Sequence, residues 1–341
     1  MGKESSIRLL QGRSSFSKVI HPWLRKAFFP IVGKDDPQAF EEQFPLASRN
    51  VEIMVEYLLK MLKYPVKSSL VGLCISDWFT NYFGAQKKTA DDLHYLVYTK
   101  SDHEVPFKPE EDIMYTYMVS QLAYIGNELV KTCSLKNMKI VTDCFRRANR
   151  LGTEVFYRYP TVMPRFTIHD RISLKVIQDV DKPLNCCPSL HITYSLLLDN
   201  IGEKVVYLPE KNEDAWRSVR TATEEMVNSV LYTKQHSLVD VAFGMLTAKM
   251  VFEQIFPDLK FNDFMDVYSE MQESNPDVSY DKIKLIYSQA NDIQQMLKRS
   301  KSQDDLSSIV GIYFKDKKFP LVNPGENNAY FDQEKGLVIP F

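Results

Sequence analysis

Three short stretches of the chain hold residues able to do chemistry together. The first is Lys234-Gln-His-Ser-Leu-Val-Asp240, in which His236 and Asp240 stand four apart. That spacing predicts both side chains on one face of a helix. A carboxylate there accepts the imidazole Nδ1–H, fixes the tautomer and leaves Nε2 free to attack an electrophile. Ser229 and Thr233 extend the polar stripe on an otherwise apolar segment. Taken singly, such a pair is most often a surface ion pair. The second stretch is Cys187-Pro-Ser-Leu-His191. Pro-Ser before an apolar run starts a helix, and its free N–H groups with the Ser189 hydroxyl suit an anion, with His191 one turn in. The plainer reading is a capping serine followed by a core histidine. The third is Arg158-Tyr-Pro-Thr-Val-Met-Pro-Arg165-Phe166. Prolines 160 and 164 hold this stretch extended, so two guanidiniums can clamp one phosphate through forked hydrogen bonds. The plainer reading is two solvated arginines.

In order and internal spacing the three stretches resemble the type 2 phosphatidic acid phosphatase superfamily, which includes bacterial class A acid phosphatases and vanadium haloperoxidases. That family carries Lys, six residues and Arg-Pro; then Pro-Ser-Gly-His; then Ser-Arg, five residues, His, three residues and Asp. Arg165, Ser189, His191, Ser229, His236 and Asp240 fall on its positions. Arg158 stands for the Lys, Phe166 for the Pro, Leu190 for the Gly and Val230 for a phosphate-binding Arg, with Lys234 the nearest cationic replacement. The match spans residues 158–244.

The resemblance implies a phosphate held by Arg158, Arg165, Ser189 and Lys234. His236 attacks phosphorus in line to form a phosphohistidine, Asp240 orients His236, and His191 protonates the leaving oxygen and then activates water. Cationic donors on the equatorial oxygens suffice for this chemistry, so neither a metal nor another cofactor is expected. The expected activity is a phosphatase acting on a phosphomonoester or diphosphate of a lipid, a prenyl alcohol or a small molecule. Two rivals share the site: a lipid phosphotransferase that passes the group to another alcohol, and a degenerate non-catalytic anion-binding or scaffold protein. A haloperoxidase fits less well, because that branch keeps the full set of cations.

Long helices must position these residues. The chain has 341 residues, 44% hydrophobic and only 12 glycines, and long stretches lack both Gly and Pro. An all-α helical bundle with the active site between core helices is expected. Helices are expected near 51–62, 111–130, 137–157, from Ser189, from about 215 to 231 and over 239–255. Residues 301–341 read as an irregular tail, with Ile309–Phe314 and Leu337–Phe341 docking as extended pieces. The charge-free runs at Ile113–Asn127 and Pro183–Leu198 carry polar residues and read as buried helices, not membrane spans.

Residues 1–36 form a basic amphipathic arm before the helical domain at 37–300. Seven Lys/Arg against one acid give residues 1–34 a net +6 in a chain of −2, which suits peripheral contact with an anionic membrane. The opening Met-Gly-Lys-Glu-Ser-Ser also fits an acylation pattern at Gly2. Five cysteines make no disulfide framework, and no secretory signal is seen, so a cytoplasmic protein is expected, able to sit at a membrane surface. Cys186 and Cys187 as nucleophiles, and His21, His94, His103 and His169 as metal ligands, lack partners at convincing spacing. The aromatic residues are spread along helices and read as core, with no nucleic-acid stacking platform.

Overall fold

The structure, a computed structural model, describes residues 50–166, 174, 178–179, 181–207, 213–265, 267–300, 305–324, 330–332 and 336–337. The basic arm, its amphipathic pieces and Gly2 lie outside the described residues. The chain runs α1 (Asn50–Lys63), α2 (Pro65–Lys88), β1 (His94–Leu96), α3 (Lys100–Glu104), α4 (Asp112–Thr132), α5 (Leu135–Arg158), β2 (Thr161–Val162) and β3 (Arg165–Phe166). It continues through α6 (Leu190–Ile201), α7 (Glu213–Tyr232), α8 (Leu238–Ile255), α9 (Val267–Ser274), α10 (Tyr280–Arg299), α11 (Leu306–Lys317), β4 (Leu321–Val322), β5 (Tyr330–Asp332) and β6 (Gly336–Leu337). The fold is all-α.

Local signals account for the helix starts. Pro65 opens α2, where its missing N–H is not needed. Ser134 accepts from the Asn137 N–H at 3.2 Å to cap α5. At the other extreme, α6 and most of α8 are buried all round, polar residues included, because both run through the middle of the bundle. Every residue of α6 except His191 is buried, as is α8 from Leu238 to Ala248. Helix α6 packs on α8, α7, α5 and α4, and α8 also packs on α10. Among the described residues no helix is long and apolar enough to cross a membrane. Inside the bundle a buried ion pair, Arg220 to Asp199 at 3.2 Å, ties α7 to α6.

Two of the site stretches meet at one helix crossing. Gly244 of α8 lies against the start of α6, where a Cβ would stand 2.7 Å from the Ser189 carbonyl oxygen and 3.0 Å from the Ile192 Cβ. The Thr193 hydroxyl donates to both the Ser189 and Gly244 carbonyls, at 2.9 and 3.0 Å. Gly244→Ala must push the two helices apart. It is expected to lower stability by about 1–3 kcal/mol, read as a shift in denaturation midpoint.

One expectation is corrected. Ile309–Phe314 does not dock as an extended piece: it lies in α11, capped by Asp305 through the Ser308 N–H at 2.7 Å. Leu306, Ile309, Val310, Tyr313 and Phe314 are buried there against α5 and α10, so the bundle continues past residue 300. After it, β4 pairs antiparallel to β1, and β5 lies between β3 and β6.

Candidate active site

Helix α7 ends in a turn that delivers His236. Lys234 takes a left-handed φ of 54°, and the Val230 carbonyl accepts from the N–H groups of both Gln235 and His236, at 3.0 and 3.1 Å. This closes the helix end and reverses the chain. His236 therefore lies in the connection between α7 and α8, and the expected shared helix face with Asp240 is replaced by a different device. Ser237 caps α8 in a reciprocal box: its hydroxyl accepts from the Asp240 N–H at 3.1 Å, and the Asp240 Oδ2 accepts from the Ser237 N–H at 2.8 Å. Asp240 thereby sits behind the His236 ring, with Nδ1 to Oδ2 at 3.6 Å, longer than a hydrogen bond. Both the His236 Nδ1 and the Asp240 Oδ1 are buried with no hydrogen-bond partner among the described residues.

The start of α6 delivers His191. Ser189 is its cap, its hydroxyl accepting from the Ile192 N–H at 3.4 Å and its own N–H donating to the Asp240 carbonyl at 3.0 Å. One turn in, the His191 Nδ1 meets the His236 Nε2 at 3.2 Å. The two imidazoles converge within hydrogen-bond distance. The Tyr115 ring covers His191 with centroids 4.2 Å apart, and its hydroxyl donates to Asp181 at 2.5 Å, as that of Tyr82 does at 2.6 Å. Burial, reinforced by the neighbouring His236, pushes the His191 pKa down to about 3. His191 is thus neutral near pH 7.

The sign of that shift gives a stability prediction. Between about pH 3 and the ordinary histidine value of 6.5, the unfolded chain binds a proton that folded His191 refuses. This group's contribution is fully present above pH 6.5 and is lost as pH falls towards 3. Urea midpoints at pH 7.5 and pH 5 should show a larger acid loss in the wild type than in His191→Asn.

Of the expected phosphate donors, Arg158 and Lys234 are engaged by protein partners. Arg158, at the end of α5, is half-exposed and spent on Glu154 at 3.0 Å and the Ser307 hydroxyl at 3.0 Å. Arg165 lies in β3, paired in register with Tyr330. Lys234 is buried, and its ammonium donates to the carbonyl oxygens of Asp102 and Val105, with the Tyr98 and Phe166 rings about it. It therefore fastens a loop where a phosphate contact was expected. Burial, partly offset by Asp102, lowers its pKa to about 8. Val230, in the position of the family's arginine, is fully buried, and the Ser229 hydroxyl donates to the Glu111 carbonyl at 2.6 Å.

Two contributors went unnoticed in the sequence. The buried Asp102 accepts from the Thr99 N–H and hydroxyl at 2.7 and 2.5 Å, and from the Leu238 N–H at 2.6 Å. It thus places a carboxylate at the N-terminus of α8, beside the His236 turn. Asp181 braces Tyr115 over His191. Cys186, set aside above as a nucleophile, lies apart from the paired ring edges, with its sulfur within 4.8 Å of ligand atoms of both His236 and Asp240. The Thr-x-x-Asp capping box at 99–102 was visible as a pattern; its partner 136 residues on was not. No protein-family model matches this chain, and neither does any curated protein or solved structure.

Proposed function

We propose that the protein transfers phosphoryl groups, acting as a phosphatase through a phosphohistidine on His236. The observation that carries this reading is the 3.2 Å approach of the His191 Nδ1 to the His236 Nε2, with Asp240 behind the second ring. A nucleophilic imidazole backed by a carboxylate, beside a second imidazole that is neutral near pH 7 and takes the proton of an incoming phosphate monoanion before passing it to the leaving oxygen, supplies the parts that a metal-independent in-line displacement needs. A near-attack complex places phosphorus about 3–3.5 Å from the attacking nitrogen. The two rings must therefore part to admit substrate, and breaking their mutual hydrogen bond is part of binding.

A lipid or prenyl phosphate at an anionic membrane surface is the proposed substrate. Leu62, Val66 and Phe79 on α1 and α2 are 81, 64 and 58% exposed, and Lys60, Lys63 and Lys67 lie among them in sequence. Apolar side chains interleaved with lysines suit such a surface.

A second reading has its own support. Arg158 and Lys234 are committed to protein partners, which favours a non-catalytic anion-binding protein. Turnover separates the two. Phosphatidic acid in vesicles and a soluble phosphomonoester are each offered in excess EDTA, with and without an acceptor alcohol. Phosphate release undiminished by EDTA is expected. An absolute Mg²⁺ requirement overturns the metal-independent reading, no turnover on either substrate favours the binding protein, and phosphorylated acceptor identifies a transferase.

A further inference from the structure

The inner side of His236 carries a feature that the phosphoryl-transfer reading leaves unused. The His236 Nδ1 and the Asp240 Oδ1 are both buried and unpartnered, and ligand atoms of Cys186, His236 and Asp240 lie within 4.8 Å of one another. The carboxylate cannot simply swing over to bond the ring, because its Oδ2 is held by the Ser237 N–H at 2.8 Å in the cap of α8. A gap of 3.6 Å between Nδ1 and Oδ2 is too long for a hydrogen bond. It is close to the separation of two ligands on one tetrahedral cation, about 3.4 Å for bonds of about 2.0–2.2 Å to nitrogen and oxygen. Thiolate, imidazole and carboxylate together form a donor set that selects zinc-like ions over Mg²⁺ or Ca²⁺.

We propose that Cys186, His236 through Nδ1, and Asp240 form a binding site for a thiophilic divalent cation of the zinc class, and that its occupation inhibits the enzyme. On binding, the Cys186 thiol gives its proton to solvent, and sulfur, nitrogen and oxygen each donate an electron pair to the ion. The cation takes the carboxylate that would otherwise support His236 and withdraws electron density from the ring. It also anchors the ring where Nε2 faces His191, opposing the separation that substrate requires. Partly buried His191, on the opposite edge of the ring, marks the more open side. The inhibitory half of the proposal rests on the phosphoryl-transfer reading; the binding half does not.

Co²⁺ added to the full-length, metal-stripped protein under reducing conditions is the probe. The expected result is one ion per chain, visible d–d bands of tetrahedral strength and a near-ultraviolet sulfur-to-cobalt charge-transfer band, with Zn²⁺ displacing both signals. Cys186→Ala should lose the charge-transfer band, and Asp240→Asn should weaken binding at least tenfold. No Co²⁺ uptake, octahedral bands without the sulfur transition, or a Cys186→Ala spectrum like the wild type's overturns the site. If Cys186→Ala does not fold, Cys186→Ser and the wild-type spectrum give the same decision. Where turnover is present, micromolar Zn²⁺ should abolish it in the wild type and spare Cys186→Ala, since Cys186 has no part in the phosphoryl transfer. Equal inhibition of both overturns the regulatory half. Absent turnover removes the phosphatase reading and leaves the spectroscopic result standing.

Discussion

His236→Ala is expected to bring phosphoryl transfer down to the background rate while leaving the bundle folded. As the proposed nucleophile, His236 would form the new bond to phosphorus, so its removal should cost on the order of 10⁴-fold or more in kcat. The fold should survive because the backbone N–H of residue 236 still donates to the Val230 carbonyl, and the Ser237–Asp240 cap is untouched. Circular dichroism and the thermal midpoint verify this alongside the assay. Loss of His191 is expected to cost less, about 10²–10⁴-fold, because positioned proton transfer contributes on that scale. A His236→Ala protein that turns over normally removes His236 from the chemistry altogether.

Asp102→Ala is expected to have the largest effect on stability. The buried carboxylate satisfies three donors: the Thr99 N–H, the Thr99 hydroxyl and the Leu238 N–H. It is also the charge nearest the buried Lys234 ammonium. Its removal leaves the buried Leu238 N–H and the part-buried Thr99 donors unmatched and takes a counter-charge from Lys234, a loss of roughly 3–5 kcal/mol given what charged hydrogen bonds contribute. Denaturant titration should show it as a fall in midpoint without a change in slope. Asp102→Asn keeps one acceptor for Leu238 but turns an amide towards the Thr99 donors, so it should fall between wild type and alanine. Because the loop holds the start of α8, surviving activity should drop as well. An Asp102→Ala midpoint equal to the wild type's would show that the α8 terminus needs no such anchor.

The helices were legible to the degree that their signals are local. Ser189 before an apolar run marked the start of α6, and the periodicity of 137–157 lies within α5. What could not be read was where side chains turn at helix ends. The spacing of His236 and Asp240 suggested one continuous helix, yet Ser237 and Asp240 also spell a capping box, and the cap prevails because Lys234 adopts a left-handed backbone. The same turn aims the Lys234 ammonium at the α3 loop. Arg158 was assigned to phosphate from its place before Pro160, although Glu154, four residues earlier on the same helix, offered a nearer partner. Ile309–Phe314 reads as extended in the sequence because the surrounding residues are polar. The Asp305 cap and a buried berth between α5 and α10 make it helical. Tyr115, Asp181 and Cys186 gave no signal of their own, since tertiary packing alone brings them to the histidines.

In the proposed reaction His236 carries the phosphoryl group between substrate and acceptor. The most direct test of this is rapid quenching during turnover of a ³²P-labelled phosphomonoester, followed by mapping of the labelled peptide. An acid-labile, base-stable phosphohistidine is expected on the peptide containing His236 and absent from His236→Ala. Label on Cys186 or His191, or steady turnover with no covalent label at any quench time, would contradict it.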